Sequence, residues 1–414
     1  MEIDLDRARR ETPGVARVNH LNNAGAALMP EPVLRAVVDH LQREAEIGGY
    51  EAADHATDDL EHGIYHAIAR LLGAEPDEIA VIENATRAWD MAFYGLALRS
   101  GDRILTAEAE YSSNVIAFLH QAQRRGTVVE TVPSDEYGQI DLRALGRALD
   151  PRRGRGRVGL VAVTHVPTNG GLVNPAAEIG RLTRAAGVPY LLDACQSVGQ
   201  LPVDVRQIGC DMLSATGRKF LRGPRGTGFL YVRRDFLERI DPPFLDNHAA
   251  EWVSAHRFAL RPDARRFENW ESFAAGKLGL KAAVDYALQW GIEPIHRRAT
   301  ALAGRLRAGL QAVPGVRVLD LGRERCAIVT FSVAGQDAGA VQAALAQRRI
   351  NTTISTVAGT RWDMERRGID RLVRASPHYY NSEAEVDQLV EAVAGLSDRR
   401  SAAASTSEAV SNIS

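Results

Sequence analysis

Through its first two thirds the chain repeats one pattern: a short, continuous, β-branched-rich apolar run followed by a segment of helical period. EIAVIE (78–83) precedes NATRAWDMAFYGLAL (84–98), and RILTAE (103–108) precedes SNVIAFLHQAQRR (113–125). TVVETV (127–132) and VGLVAVTHV (158–166) continue it, followed by the helical PAAEIGRLTRAAG (175–187), whose last glycine suits a helix C-terminus, and by VPYLLDAC (188–195). Runs this uniformly apolar leave no face for water, so helices must cover both sides of the sheet they form. An α/β fold with a largely parallel sheet is predicted for residues 17–275, after an N-terminal arm at 1–16. GKLGLKAAVDYALQWG opens a connecting helix at 276–294. Beyond it, helical segments alternate with the runs CAIVTFSV (326–333) and RLVRAS (371–376), which predicts a small α+β unit at 295–396. The tail 397–414, dominated by Ser and Ala and without aromatics, is expected to be disordered.

Bulk composition excludes several classes. Of 414 residues, 45% are hydrophobic and 25% charged, as in an ordinary globular protein. Fifty Lys and Arg nearly balance 52 Asp and Glu, so no global field draws the chain to nucleic acid or to an anionic membrane. Three cysteines without CxxC spacing speak against a disulfide framework or a metal site. No apolar run approaches the roughly 20 residues of a membrane span, and MEIDLDRARRETPG has no apolar signal core. A cytoplasmic protein is the expectation.

Against that background, SATGRKFLRGPRGTG (214–228) stands out, because it sets Lys219 among cations and glycines between two strand-like runs. A lone lysine in a basic turn is ordinarily solvated. Here other polar residues fall at the ends of the predicted strands, where open α/β sheets form their ligand crevices. Asp193 and Gln196 follow PYLLDAC, Tyr111 follows RILTAE, and His165 and Thr168 follow VGLVAVT. Thr86 opens a helix whose free N–H groups could hold a phosphate. One cofactor, pyridoxal 5′-phosphate, uses them all: its aldehyde needs a lysine amine, its ring nitrogen a carboxylate, and its phosphate a helix terminus.

DACQSVGQ (193–200) and SATGRKFLRGPRGTGFLY (214–231), with LNNAGAALMP (21–30) and RASPHYYNSEAEVDQLV (374–390), resemble the class V aminotransferase family of fold-type I pyridoxal-phosphate enzymes. Within it, the chain is similar to the cysteine desulfurase-like and isopenicillin N epimerase-like branch. The resemblance implies a mainly parallel seven-stranded sheet in the large domain and a homodimer with active sites near the subunit interface. It makes Lys219 the Schiff-base lysine, Asp193 the partner of the ring nitrogen and Gln196 the partner of the phenolic oxygen. Ala85, Thr86, Thr216 and Arg218 then serve the phosphate. Tyr111 takes the place of the residue stacked on the ring, usually histidine in desulfurases, and Thr168 stands where that branch often has asparagine. Arg374 is the clamp for the substrate carboxylate, with Asn23 in LNNAGAAL a further substrate contact. In relatives a small hydroxyl residue often meets the phosphate near the partner subunit; the aligned position here is Glu271, whose charge would repel it.

Each residue also has a plainer reading. Asp193 could cap a helix, Thr86 and Tyr111 could cap or pack, His165 could be a satisfied core histidine and Arg374 a structural ion pair. Arg222 and Arg225 read as a solvated cationic face or as neighbours of a dimer contact, and Cys195 as buried and structural. Desulfurases carry a mobile cysteine shortly before the carboxylate-binding arginine, yet ISTVAGTRWDMERRGIDRLVRAS (354–376) has none, and Cys326 begins a predicted core strand. The resemblance therefore implies an enzyme acting on an α-amino acid through an external aldimine and a Cα carbanion, by β-elimination that cleaves the C–S bond of an S-substituted L-cysteine. Transamination, epimerisation and decarboxylative deamination remain open beside it, as does a non-enzymatic cofactor-binding regulator.

Overall fold

The apolar runs become neighbouring strands of one sheet. In the computed structural model, which describes residues 2–153 and 156–411 with side chains through Ser397, β1 spans Ile79–Ile82, β2 Arg103–Ala107, β3 Val128–Val132 and β4 Val158–Thr164. β5 spans Tyr190–Asp193, β6 Met212–Thr216 and β7 Gly228–Val232. Their order is β1-β7-β6-β5-β4-β2-β3. Only β7 runs antiparallel to its neighbours; the other pairings are parallel. Six strands therefore end on one edge of the sheet.

Alternate residues of these strands enter two separate cores. Leu105, Val163 and Leu192 pack on one face, while Ile104, Ala162 and Leu191 pack on the other. Helices such as Ile64–Leu72 and Ala274–Trp290 cover the first face, and Ala85–Tyr94 and Ser112–Arg125 the second. Both faces being dry explains why the runs show no polar alternation.

The connecting helix ends earlier than expected: Ala274–Trp290 is separated from Ile292–Ala312 by Gly291, at a φ of 81°. A hairpin of β8 (Ala250–Ser254) and β9 (Arg257–Leu260) was not foreseen, since its rings face water. The C-terminal part forms an antiparallel sheet of β10 (Val316–Val318), β11 (Val329–Val333), β12 (Thr353–Thr356) and β13 (Arg371–Ala375), in the order β10-β11-β13-β12. It shares a core with the helices Ile292–Ala312 and Glu383–Ser411. Residues 19–24, assigned from the sequence to the large unit, join this second body: Asn19–His20 pairs in parallel with Ile350–Asn351, and Leu21 and Ala24 enter its core. The stretch 397–414, expected to be disordered, is instead helical as far as Ser411, as the end of the helix Glu383–Ser411. Among the described residues, no helix is long and apolar enough to cross a membrane.

The turns after β5 and β6 touch through backbone. Gly199, at a φ of 91°, lies so close to the Lys219 loop that an added methyl would sit 2.5 Å from the Leu221 nitrogen. Any side chain there must push the two motifs apart and also adopt a strained backbone. Gly199→Ala is expected to lower stability by about 1–3 kcal/mol and to reduce bound cofactor. Denaturant midpoints and cofactor content of the purified variant check this; wild-type values for both would contradict it.

Candidate active site

Lys219 lies in the loop between β6 and β7, at the edge where the parallel strands end. Among the described residues its ammonium makes no ion pair, although Asp193, Cys195, Arg218 and Arg374 all act on it electrostatically. Burial, with Arg218 and Arg374 nearby, holds its pKa below the ordinary lysine value despite the opposing pull of Cys195 and Asp193. More of the amine is therefore neutral, and nucleophilic, than on an ordinary surface lysine.

Asp193 ends β5 and is buried. Its Oδ1 accepts from the Cys195 backbone N–H (2.9 Å) and its Oδ2 from the Asn114 amide (3.0 Å). Gln196, one turn on, donates to the Ala24 carbonyl (3.0 Å) and reaches Thr168 Oγ1 (3.5 Å), while its buried Oε1 has no partner. Arg374 stands in β13, inserted from the second body. Its guanidinium is buried, donates to Thr168 Oγ1 (2.5 Å) and the Thr168 carbonyl (3.3 Å), and meets Asn22 Oδ1 at 3.5 Å. Among the described residues no carboxylate reaches it and its Nε has no partner. Burial and Arg218 pull its pKa down to about 10. Arg218 donates to the Gly25 carbonyl, and Tyr111 is an electrostatic neighbour of both arginines.

Asn84 caps the helix Ala85–Tyr94, accepting from Arg87 N–H (3.0 Å) and leaving the N–H groups of Ala85 and Thr86 without a partner among the described residues at the same edge. Thr86 itself is exposed. Gly228 makes this approach possible, since a methyl on it would lie 2.9 Å from the Ala85 nitrogen. Thr216, the last residue of β6, is buried with its hydroxyl 3.4 Å from the Thr227 carbonyl.

Several expectations need correction. Asn23 is fully buried, and its amide is spent on Ser376, His20, Asn381 and Tyr380, so it fastens residues 19–24 to the segment after β13 and does not face a substrate. Asn22 is the residue beside Arg374. Arg222 is not a solvated cation: it is buried at a φ of 63°, lies 4.3 Å from the centre of the Tyr380 ring, and donates to Leu28, Tyr379 and Thr12. Arg225 is exposed. Cys195 is half-buried and beside Lys219, not sealed in a core. His165 is buried with Nδ1 unpaired, and burial lowers its pKa to about 4, so it is neutral. Glu271 is exposed in a separate groove with Tyr50, Trp270 and His248.

Glu110 and Asn114 went unnoticed in the sequence. Glu110 is buried against Thr106, Thr164 and Asn114, and burial raises its pKa to about 7 against the pull of these hydrogen bonds. Its only sequence signal is an acid four positions before an amide on a helix, which reads equally as a charge near a helix start.

The profile of the family described as Aminotransferase class-V matches residues 19–389. The chain belongs to this family. A "Probable cysteine desulfurase" of Methanothermobacter thermautotrophicus is 30% identical over 94% of this chain and 98% of its own length. The apo structure of a cysteine desulfurase from Thermococcus onnurineus NA1 superposes with a TM-score of 0.88 at 27% identity, covering 96% of this chain and 99% of that one. A complex of the cystine C–S lyase C-DES with its reaction product cysteine persulfide gives 0.82 at 26% identity, covering 92% and 99%.

Pyridoxal 5′-phosphate is the cofactor of this class V enzyme, and the residues present fit it. Three cations without an ion pair, a free helix N-terminus and one carboxylate match a molecule with an anionic phosphate, an aldehyde and a basic ring nitrogen. Because burial and neighbouring cations lower the Lys219 pKa, capture of cofactor by the apo protein is expected to rise with pH and to level off below the ordinary lysine range. Arg374→Ala, removing one cation, is expected to move that midpoint upward. Reconstitution rates measured across pH check this; a midpoint at or above the free-lysine value would contradict it.

Proposed function

We propose that the chain cleaves the Cβ–S bond of an S-substituted L-cysteine by β-elimination. The observation that carries this reading is the state of its thiols. Positions 354–376, where a desulfurase carries its cysteine, have none. Cys326 is buried with its pKa pushed up to about 12, burial also raises that of Cys210, and burial with Asp193 raises that of Cys195. With no cysteine at 354–376 and the thiols of Cys195, Cys210 and Cys326 all held toward the protonated form, sulfur on this reading departs with the group it carries. The likeness to a cystine C–S lyase supports the same reading.

When bound, pyridoxal phosphate supplies an aldehyde that captures an amine and an electron-poor ring that accepts the electron pair released at the substrate Cα. Lys219 would hold it and, once the substrate amine has displaced its Nζ from the aldehyde carbon, that freed lysine amine would take the α-proton, a role favoured by the burial that lowers its pKa. Asp193, fixed at both oxygens, would serve the ring nitrogen, with Gln196 for the phenolic oxygen and Tyr111 for the ring. The N–H groups of Ala85 and Thr86, with Thr216 and Arg218, would hold the phosphate. Arg374 forks onto the substrate carboxylate, oriented by Thr168. Sulfur leaves Cβ with its bonding pair and takes up a proton; water converts the remaining fragment to pyruvate and ammonia. The exposed rings of Tyr50, Trp252, Phe258 and Trp270 support a homodimer.

The test is incubation with a panel of S-substituted cysteines and plain amino acids, following thiol, pyruvate, other keto acids, aldehyde and chirality together, on protein whose solution mass is expected to be that of two chains. Pyruvate and thiol in equal amounts are the expected products. Arg374→Ala is expected to weaken kcat/KM by about 1.5–3 kcal/mol, mainly through KM. A keto acid without thiol, a racemised amino acid or an aldehyde would contradict the elimination.

A further inference from the structure

Glu110 is a buried acid that the proposed chemistry does not use, yet it ties together three strand ends. Its Oε2 accepts from Thr106 Oγ1 (3.0 Å), at β2, and from the Thr164 backbone N–H (2.9 Å), at β4. Its Oε1 accepts from the Tyr111 backbone N–H (3.0 Å) and from Asn114 Nδ2 (2.8 Å), and the Thr164 hydroxyl bonds to it as well. The same Asn114 nitrogen bonds Asp193 Oδ2 at 3.0 Å, at the end of β5. An amide nitrogen has two hydrogens, and here each points at a carboxylate. The opposite amide orientation would set an oxygen against both acids, so the assignment is dictated by the partners.

This geometry is more than a brace. Asp193 is a carboxylate that acts on Lys219, and its two oxygens are held by different elements: Oδ1 by the Cys195 N–H that follows it, Oδ2 by Asn114 on the helix Ser112–Arg125. Glu110 fixes that amide and, through the Tyr111 N–H, the start of the same helix. The carboxylate plane at position 193 is therefore set from the far side by a chain of two hydrogen bonds, Glu110 to Asn114 to Asp193.

We propose that Glu110 and Asn114 are positioning residues that act as one unit, orienting the Asp193 carboxylate toward the cofactor's ring nitrogen and so keeping that nitrogen protonated. The proposal rests on the placement of Asp193 given above. It assigns no contact between either residue and the cofactor.

The test uses holoenzyme carrying cofactor labelled at the ring nitrogen, read by nitrogen NMR, with the visible cofactor band as a check on loading. Asn114→Ala and Glu110→Gln are expected to keep the band and to move the ring-nitrogen resonance toward the unprotonated position. kcat is expected to fall about tenfold or more, with KM changed less than about twofold. Because the two residues act through one amide, Glu110→Gln/Asn114→Ala is expected to shift the resonance no further than Asn114→Ala alone. A wild-type resonance in Asn114→Ala, or additive shifts in the double variant, overturns the proposal. If Glu110→Gln does not fold, Asn114→Ala decides alone. A resonance unmoved by Asp193→Asn would instead overturn the placement of Asp193, and this proposal with it.

Discussion

Cations sunk at one sheet edge without counter-charges set the terms for this molecule. Lys219, Arg218 and Arg374 come from a β6–β7 loop and from a strand of the second body, and none has an ion pair among the described residues. A buried charge whose partner is missing costs about 3–5 kcal/mol by the measure of broken buried pairs. A protein spends that much only where a ligand supplies the missing charge, and a phosphate and an α-carboxylate are the two anions that this family's chemistry brings. Arg222 shows the contrast, since its still more deeply buried guanidinium is satisfied by carbonyl, hydroxyls and aromatic faces. It is structural.

The sheet explains why these groups meet. Six strands end on one edge, so residues far apart in the chain, Ala85, Tyr111, Thr168, Asp193 and Thr216, arrive together with no long-range signal in the sequence. The antiparallel β7 starts at that same edge, where Gly228 lets the N-terminus of the helix Ala85–Tyr94 come close. The second body then closes the cleft, with Asn23 and Asn381 fastening residues 19–24 to the segment after β13 so that Arg374 points inward.

The legible parts were those governed by periodicity or by a motif. Doubly covered strands are apolar throughout, and Asp193, Gln196 and Lys219 lie inside contiguous signatures. The hairpin β8–β9 was not legible because Trp252 and Phe258 point outward, so its pattern follows no core. Arg222 looked like part of a solvated basic turn because RGPRG gives no hint of the Tyr286, Tyr379 and Tyr380 rings that surround it. Asn22 and Asn23 are adjacent and chemically identical; which one faces Arg374 depends on a backbone path set by pairing with Ser376. Glu110 was invisible for a similar reason: its partners Thr106, Thr164 and Asn114 come together only in the folded sheet.

The chemistry of this site depends on a covalent anchor at Lys219. Borohydride reduction of the protein as purified, followed by peptide mapping, reads it directly. The reduced pyridoxyl group is expected on the peptide containing Lys219 and on no other. A group fixed to a different lysine, or none at all in protein shown to carry cofactor, would contradict the site described here.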